Sequence, residues 1–243
     1  MKALVIIPAR MDSTRLSRKV MVDINGKPMI LRVWEQAGKA EVGTVIVACD
    51  DKEIYDTIHY SGGTAMMTKK THLSGSDRVH EVANRFDPER RYEIIINLQG
   101  DMPLINPELI RKVIEPLKDS DCDIATIVHK ITNQKELKNQ SVVKAVMSIA
   151  PDAKVGRAVY FSRNKVPSGD GDFYHHQGIY AYQRDALEEF ISLEQGHLEK
   201  REKLEQLRAI ENGFRIDAVV VNDATLSVDT EEDLARVGKI IKG

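Results

Sequence analysis

Short apolar runs rich in β-branched residues recur along the chain, at Ala3 to Ile7, Thr44 to Ala48, Glu93 to Leu98, Asp123 to Val128, Val142 to Ile149 and Phe214 to Val221. Runs of this length and composition are those of strands buried within a sheet. Between them the period changes to that of a helix. Ile30, Val33, Trp34 and Ala37 fall on one face, as do Val79, Val82, Ala83 and Phe86, and again Leu109, Val113 and Leu117. The alternation predicts an α/β fold, a mostly parallel central sheet flanked by helices. Near the end, "TEED" (Thr230 to Asp233) resembles a capping box and is followed by Leu234, Val237 and Ile241 on one side, so Asp229 precedes a helix N-terminus.

The stretch from Val142 to Tyr182 breaks the alternation and predicts antiparallel strands, or an arm suited to subunit contact, beside the main sheet. Neither repeats nor a flexible linker divides the 243 residues, and the only loose segment is Pro167 to Asp172. A single domain over 1–243, with an accessory segment near 142–182, is expected. Net charge is -2 with 30% charged residues, which argues against a general nucleic-acid binder or a membrane-surface protein. Cys49 and Cys122 are far apart and form no metal or disulfide pattern, and the opening "MKALVIIPAR" is too short an apolar run for a signal or a span. A cytoplasmic enzyme is the expectation.

Chemistry is concentrated in three places. The loop from Ala9 to Arg18 leaves the carboxyl end of the first strand, where open α/β sheets bind ligands, and it carries Arg10, Arg15 and Arg18 with Lys19 just after. The chain contains neither a G-x-x-x-x-G-K-[ST] nor a G-x-G-x-x-G motif, so phosphate would be held by guanidinium forks, lysine and loop amides. In "INLQGDMPLI" a buried strand ends in Gln99-Gly-Asp101, and in "SVDTEEDL" Asp229 follows a strand-like run. A carboxylate at a strand end, beside a glycine that lets a ligand approach, suits a hard divalent cation shared with phosphate oxygens. A plain turn at Gly-Asp and a helix cap at Asp229 are the alternatives. Taken together, the three places describe magnesium nucleotide chemistry. Asp101 and Asp229 hold metal, Arg10, Arg15 and Lys19 neutralise a triphosphate, and an acceptor attacks phosphorus in line.

The segments "IIPARMDSTRLSRKVMVDINGKPMI", "SGSDRVHEVA", "NLQGDMPLI", "AVYFSRNKVP", "HHQGIYAY", "EKLEQLRAIENG" and "VDTEEDLARV" resemble, in order and spacing, the 3-deoxy-manno-octulosonate (Kdo) cytidylyltransferases, over nearly the whole chain. The opening motif alone is shared with other sugar-activating nucleotidyltransferases. The resemblance implies transfer of CMP from CTP to the 2-hydroxyl of Kdo for lipopolysaccharide synthesis, Mg2+, a glycosyltransferase-A-like fold and a homodimer. It also implies that Arg10 and Lys19 bind CTP phosphates, with Arg15 and the Ala9 and Ser13 backbone nearby. Ser74 and Arg78 would lie by nucleotide and sugar, and Gln99, His176, Glu205 and Gln206 would face the sugar acid. Lys19, Asp101 and Asp229 would form the catalytic group, the two aspartates carrying metal.

On pattern alone Glu205 and Gln206 would be a solvated helix edge beside Leu204 and Leu207. His175 and His176 cannot easily share an ion, because neighbours on a strand point to opposite faces. The chain departs from the family pattern at Leu16-Ser-Arg-Lys19, where Leu-Pro-Gly-Lys is usual, at Met102 in place of glutamate, at Gln177 in place of an apolar residue, and at Ser227 in place of glycine. Met102 and Gln177 flank the expected acceptor pocket, so a relative such as 8-amino-Kdo is an alternative substrate. A glycosyltransferase using a finished nucleotide sugar, a nucleotidyltransferase for another sugar acid, and a non-catalytic nucleotide-binding module are the rival readings.

Overall fold

The computed structural model describes residues 2–13, 16–118, 121–222 and 225–242. Arg15, one of the expected phosphate contacts, lies outside the described residues. The chain forms two compact units, Met1–Arg111 with Thr225–Gly243, and Lys112–Ala224.

The first unit begins with β1 (Ala3–Ala9), a short hairpin β2 (Asp23–Ile24) and β3 (Lys27–Pro28), and α1 (Met29–Lys39). It continues through β4 (Gly43–Cys49), α2 (Lys52–Tyr60), β5 (Thr64–Met67), α3 (Gly75–Phe86), β6 (Ile94–Leu98) and α4 (Pro107–Lys112). Its strands run in the order β5-β4-β1-β6, all parallel. Every residue of β6 is buried, as are Leu4 to Ile7 of β1, which is why these strands read as apolar runs, with Asn97 the polar residue in β6. The predicted faces of α1 and α3 pack inward through Ile30, Val33 and Ala37, and through Val79, Val82 and Ala83. The helix expected to carry Leu109, Val113 and Leu117 on one face stops at Lys112, and Leu117 sits in a separate 3-10 turn begun by Pro116. Proline disfavours helical conformation in the residue before it, which ends the helix early.

In the second unit, β7 (Ile124–Lys130) leads to α5 (Gln134–Lys138), β8 (Lys144–Ser148), β9 (Val155–Ser162) and β10 (Tyr174–Gln183). Helices α6 (Arg184–Ser192), α7 (His197–Glu202) and α8 (Gln206–Glu211) then precede β11 (Ile216–Val221). The strand order is β10-β7-β11-β9-β8, with only β7 and β11 parallel. The expectation of a mostly parallel sheet therefore fails here: the strand pairing is mixed. The cause is the segment 142–182, whose strands are joined without helical crossovers and so pair antiparallel. Lys144 is fully buried, its ammonium donating to the carbonyls of Asn139, Val142 and Arg163 at 2.7, 2.8 and 2.8 Å.

The chain then returns to the first unit as α9 (Glu231–Lys242). Thr230 Oγ1 accepts from Asp233 N at 3.2 Å while Thr230 N donates to Asp233 Oδ2 at 3.0 Å, the reciprocal cap predicted from "TEED". Val228 and Val237 close a cluster with Leu16, Ile24 and Met29. No helix among the described residues is long and apolar enough to cross a membrane.

Candidate active site

Three chain segments of the first unit meet at the carboxyl ends of β1 and β6. Lys19 opens a 3-10 turn after the β1 loop, and its ammonium donates to Asp101 Oδ2 at 2.6 Å and to Asp229 Oδ1 at 2.9 Å. Val228 N donates to Asp101 O at 2.9 Å, which ties the two carboxylate-bearing loops together through backbone. Since Thr230 supplies the cap of α9, the Asp229 side chain is directed to Lys19, and helix capping does not account for it. Burial alone would lower the Lys19 ammonium, but Asp101 and then Asp229 outweigh it and hold its pKa above the ordinary value. The group is therefore a fixed cation between two carboxylates.

Beside it opens a cleft of ≈ 300 Å³ lined by Arg10, Ser13, Lys19, Gln99, Asp101 and Asp229 among others. A smaller cleft of ≈ 160 Å³ shares Pro8, Arg10 and Gln99 with it and is lined further by Ala9, Ser74, Gly75 and Arg78. The first turn of α3 borders this second cleft, so the positive end of the helix dipole favours an anion there. Two expectations change in detail. The Ser74 hydroxyl is engaged in the cap of α3, accepting from Asp77 N at 3.1 Å and donating to Asp77 Oδ2 at 2.9 Å. A side chain at Gly100 would meet Pro8 O at 3.1 Å and Ile30 Cδ1 at 3.3 Å, so the β1 backbone and α1 crowd this position.

Sequence reading missed Asp50. The Arg78 guanidinium is buried, donating to Asp50 Oδ2 at 3.0 Å and to the Thr68 hydroxyl, while Asp50 Oδ1 accepts from Met11 N at 3.1 Å. Asp50 thus fixes both Arg78 and the start of the β1 loop. The signal available was slight, since "CDDK" reads as a strand end followed by a helix cap, and Asp51 is that cap. Arg18, where the family pattern has glycine, adopts φ 53° and ψ 35° and pairs with Glu53 of α2. The loop keeps the left-handed geometry glycine would supply, and the pairing holds it.

The remaining expected residues lie in the second unit. His176 on β10 is buried, its Nε2 3.0 Å from Thr126 Oγ1 and its ring edge-on to Phe161. Burial first, then His175, lowers its pKa to about 3, so the imidazole is neutral. Glu205 stands at the N-cap of α8, 3.7 Å from the Arg208 guanidinium. Gln206 is buried, not on a solvated edge, and its Nε2 has no hydrogen-bond partner in the structure. Arg208 and Glu199 form a buried two-point pair, at 2.8 Å for each bond, that fixes α7 against α8. Met102 is buried in the first unit, and Gln177 in the second bonds to His129, its Nε2 2.8 Å from Nδ1.

A family model described as "Cytidylyltransferase" matches residues 4–216. The chain is 52% identical to a 3-deoxy-manno-octulosonate cytidylyltransferase of Paramagnetospirillum magneticum, covering 98% of this chain and 97% of the relative. It is 49% identical to one of Sinorhizobium medicae, covering 99% and 96%. Among solved structures, CMP:2-keto-3-deoxy-manno-octonic acid synthetase complexed with CTP superposes with a TM-score of 0.90 at 36% identity, covering 100% and 99% of the two chains. These matches span nearly the full length of both chains in each comparison, and the chain belongs to the 3-deoxy-manno-octulosonate cytidylyltransferase family.

Proposed function

We propose that this chain transfers CMP from CTP to the 2-hydroxyl of Kdo, releasing pyrophosphate. The observation that carries the reading is the Lys19 ammonium held by Asp101 and Asp229 at the mouth of a cleft that Arg10 also lines, in a chain similar over its whole length to Kdo cytidylyltransferases. Lys19 and Arg10 neutralise the triphosphate and the charge that develops on the departing pyrophosphate. Ala9, Ser13, Ser74 and Arg78 border the nucleotide, with Arg15 assigned beside them from the family motif. Arg78 serves mainly by holding Asp50 and the loop.

Asp101 and Asp229 fit a divalent ion, Mg2+ in this reading. Two hard oxygen donors from separate loops already converge on one cation, the Lys19 ammonium, next to open space. When bound, such an ion would supply positive charge to the phosphates and acidify the acceptor hydroxyl. Gln99, His176, Glu205 and Gln206 are assigned to the sugar acid. The buried, unpartnered amide nitrogen of Gln206 supports this, since a stranded N–H donor is satisfied by a ligand oxygen.

The segment 142–182 is assigned to subunit contact in a homodimer, supported by the exposed Val155 and Val159 on β9. The two cysteines are free and buried, in keeping with a cytoplasmic setting. The deciding assay incubates purified protein with Mg2+, each nucleoside triphosphate, and Kdo or 8-amino-Kdo, and follows pyrophosphate. CTP with Kdo is expected to react. Turnover with a uridine or thymidine nucleotide and an aldose phosphate, but none with CTP, would refute the assignment, and light scattering of the purified protein tests the dimer.

A further inference from the structure

The second unit carries a cluster that nucleotidyl transfer does not use. His175 on β10 pairs directly across from His129 on β7, so the antiparallel register brings the two imidazoles to one face, with ring centroids 4.7 Å apart. His176 faces the other way, toward Thr126 and Phe161, as the strand pleat requires. Glu136 joins the histidine pair from α5, its Oε2 4.0 Å from His129 Nε2. One ligand atom from each of His129, Glu136 and His175 lies within 4.8 Å of the other two.

We propose that His129, His175 and Glu136 form a second metal site, for a single borderline-soft divalent cation of the Zn2+ class, with a fourth position open to water. Two imidazoles and one carboxylate are a donor set suited to zinc and poorly suited to Mg2+, which prefers oxygen alone. Bonds of about 2.1 Å in a tetrahedral site separate ligand atoms by about 3.4 Å. The three atoms must therefore close by little more than an ångström. Glu136 can move toward the two imidazoles, because its side chain is 42% exposed and it sits on a five-residue helix in which Leu137 is the buried residue.

Two further observations point to a ligand. His175 Nδ1 is buried with no hydrogen-bond partner. Gln177 touches His129 Nδ1 at 2.8 Å, and with its amide turned so that the carbonyl oxygen faces the ring it accepts the Nδ1–H and frees Nε2 for metal. The departure from the family pattern at Gln177 thereby acquires a role, as the group that orients a ligand. Burial also keeps both imidazoles neutral near pH 7, the form that ligates; His175 is lowered to about 4 by burial and then by His129 and Lys144. Lys144 lies opposite His175 on β8, but its ammonium is taken up by three carbonyls, and the Glu136 carboxylate supplies the negative charge a dication needs.

The test uses the full chain, stripped with chelator, in an Asp101→Asn/Asp229→Asn background so that the first-unit carboxylates do not contribute. Zn2+ titration by calorimetry should show one equivalent per chain, and Co2+ should give the visible absorption of a tetrahedral site. Gln177→Met should weaken binding by about 10- to 100-fold, and Glu136→Gln and His175→Ala by at least as much. Zinc should also raise the melting temperature of the parent and leave that of His175→Ala unmoved. The exposed Glu136 variant keeps the test decisive if a histidine variant folds poorly. No zinc binding, or binding unchanged in Glu136→Gln and His175→Ala, overturns the proposal.

Discussion

Lys19 is the residue on which the candidate active site converges. Its ammonium holds two carboxylates in the described structure, and in the proposed reaction it meets the phosphates as well. Lys19→Met keeps the length of the stem and removes the charge, so we expect kcat to fall by about 10²- to 10³-fold, the loss typical when one transition-state donor is removed. Pyrophosphate release with saturating CTP and Kdo measures it; a change in KM alone would show that Lys19 binds ground state and transition state equally. Lys19, Asp101 and Asp229 were legible because strand ends mark where α/β sheets bind ligands, and each stands just after one or in the loop it opens. Asp50 was hidden for a physical reason: its partners Arg78 and Met11 are distant in sequence, and a carboxylate before a helix looks like a cap. Pattern alone would leave Gln206 on a solvated edge, because helical periodicity does not reveal which other elements cover a helix edge, and only the family resemblance pointed inward.

The element that borders the smaller cleft, α3, is braced by Glu81. Burial alone would raise the Glu81 carboxyl, but bonds from His72, Lys69 N and Arg85 outweigh it and bring the pKa to about 2, below the ordinary 4.5. A depressed carboxyl adds stability that is complete above about pH 4.5 and is lost as pH falls toward 2. Glu81→Gln should therefore cost about 1–3 kcal/mol at pH 7, and the gap from the parent should narrow as pH drops below 4.5 in urea titrations. In the β1 loop, Arg18 holds a left-handed backbone that costs a non-glycine residue about 1–2 kcal/mol. Arg18→Gly removes that strain together with an exposed ion pair worth about 1 kcal/mol or less, so unfolding should show a neutral to slightly stabilising change. Among elements, β1, β4 and β6 were readable because burial leaves a mainly apolar, β-branched signature. The strand β10, "YHHQGIYAYQ", was not individually readable, since it buries His176 and Gln177, polar groups satisfied by Thr126 and His129 on the neighbouring strand.

Across the whole chain, one unit interrupts the other: the first is left at Arg111 and resumed at Thr225. A protein ending at residue 224 would lack Asp229, the Val228 bond to Asp101, and the two valines that cover Leu16, Ile24 and Met29. We expect such a truncation to release no pyrophosphate and to bind a hydrophobic dye that the full chain excludes; normal turnover would remove Asp229 from the chemistry. The Asp101–Lys19–Asp229 arrangement also bears on synthesis. Because its last member follows the entire intervening unit, a ribosome must translate past that unit before the carboxylate pair exists. Under the proposed reaction the growing polypeptide is chemically silent until then, and a stall inside the second unit leaves a product without Asp229.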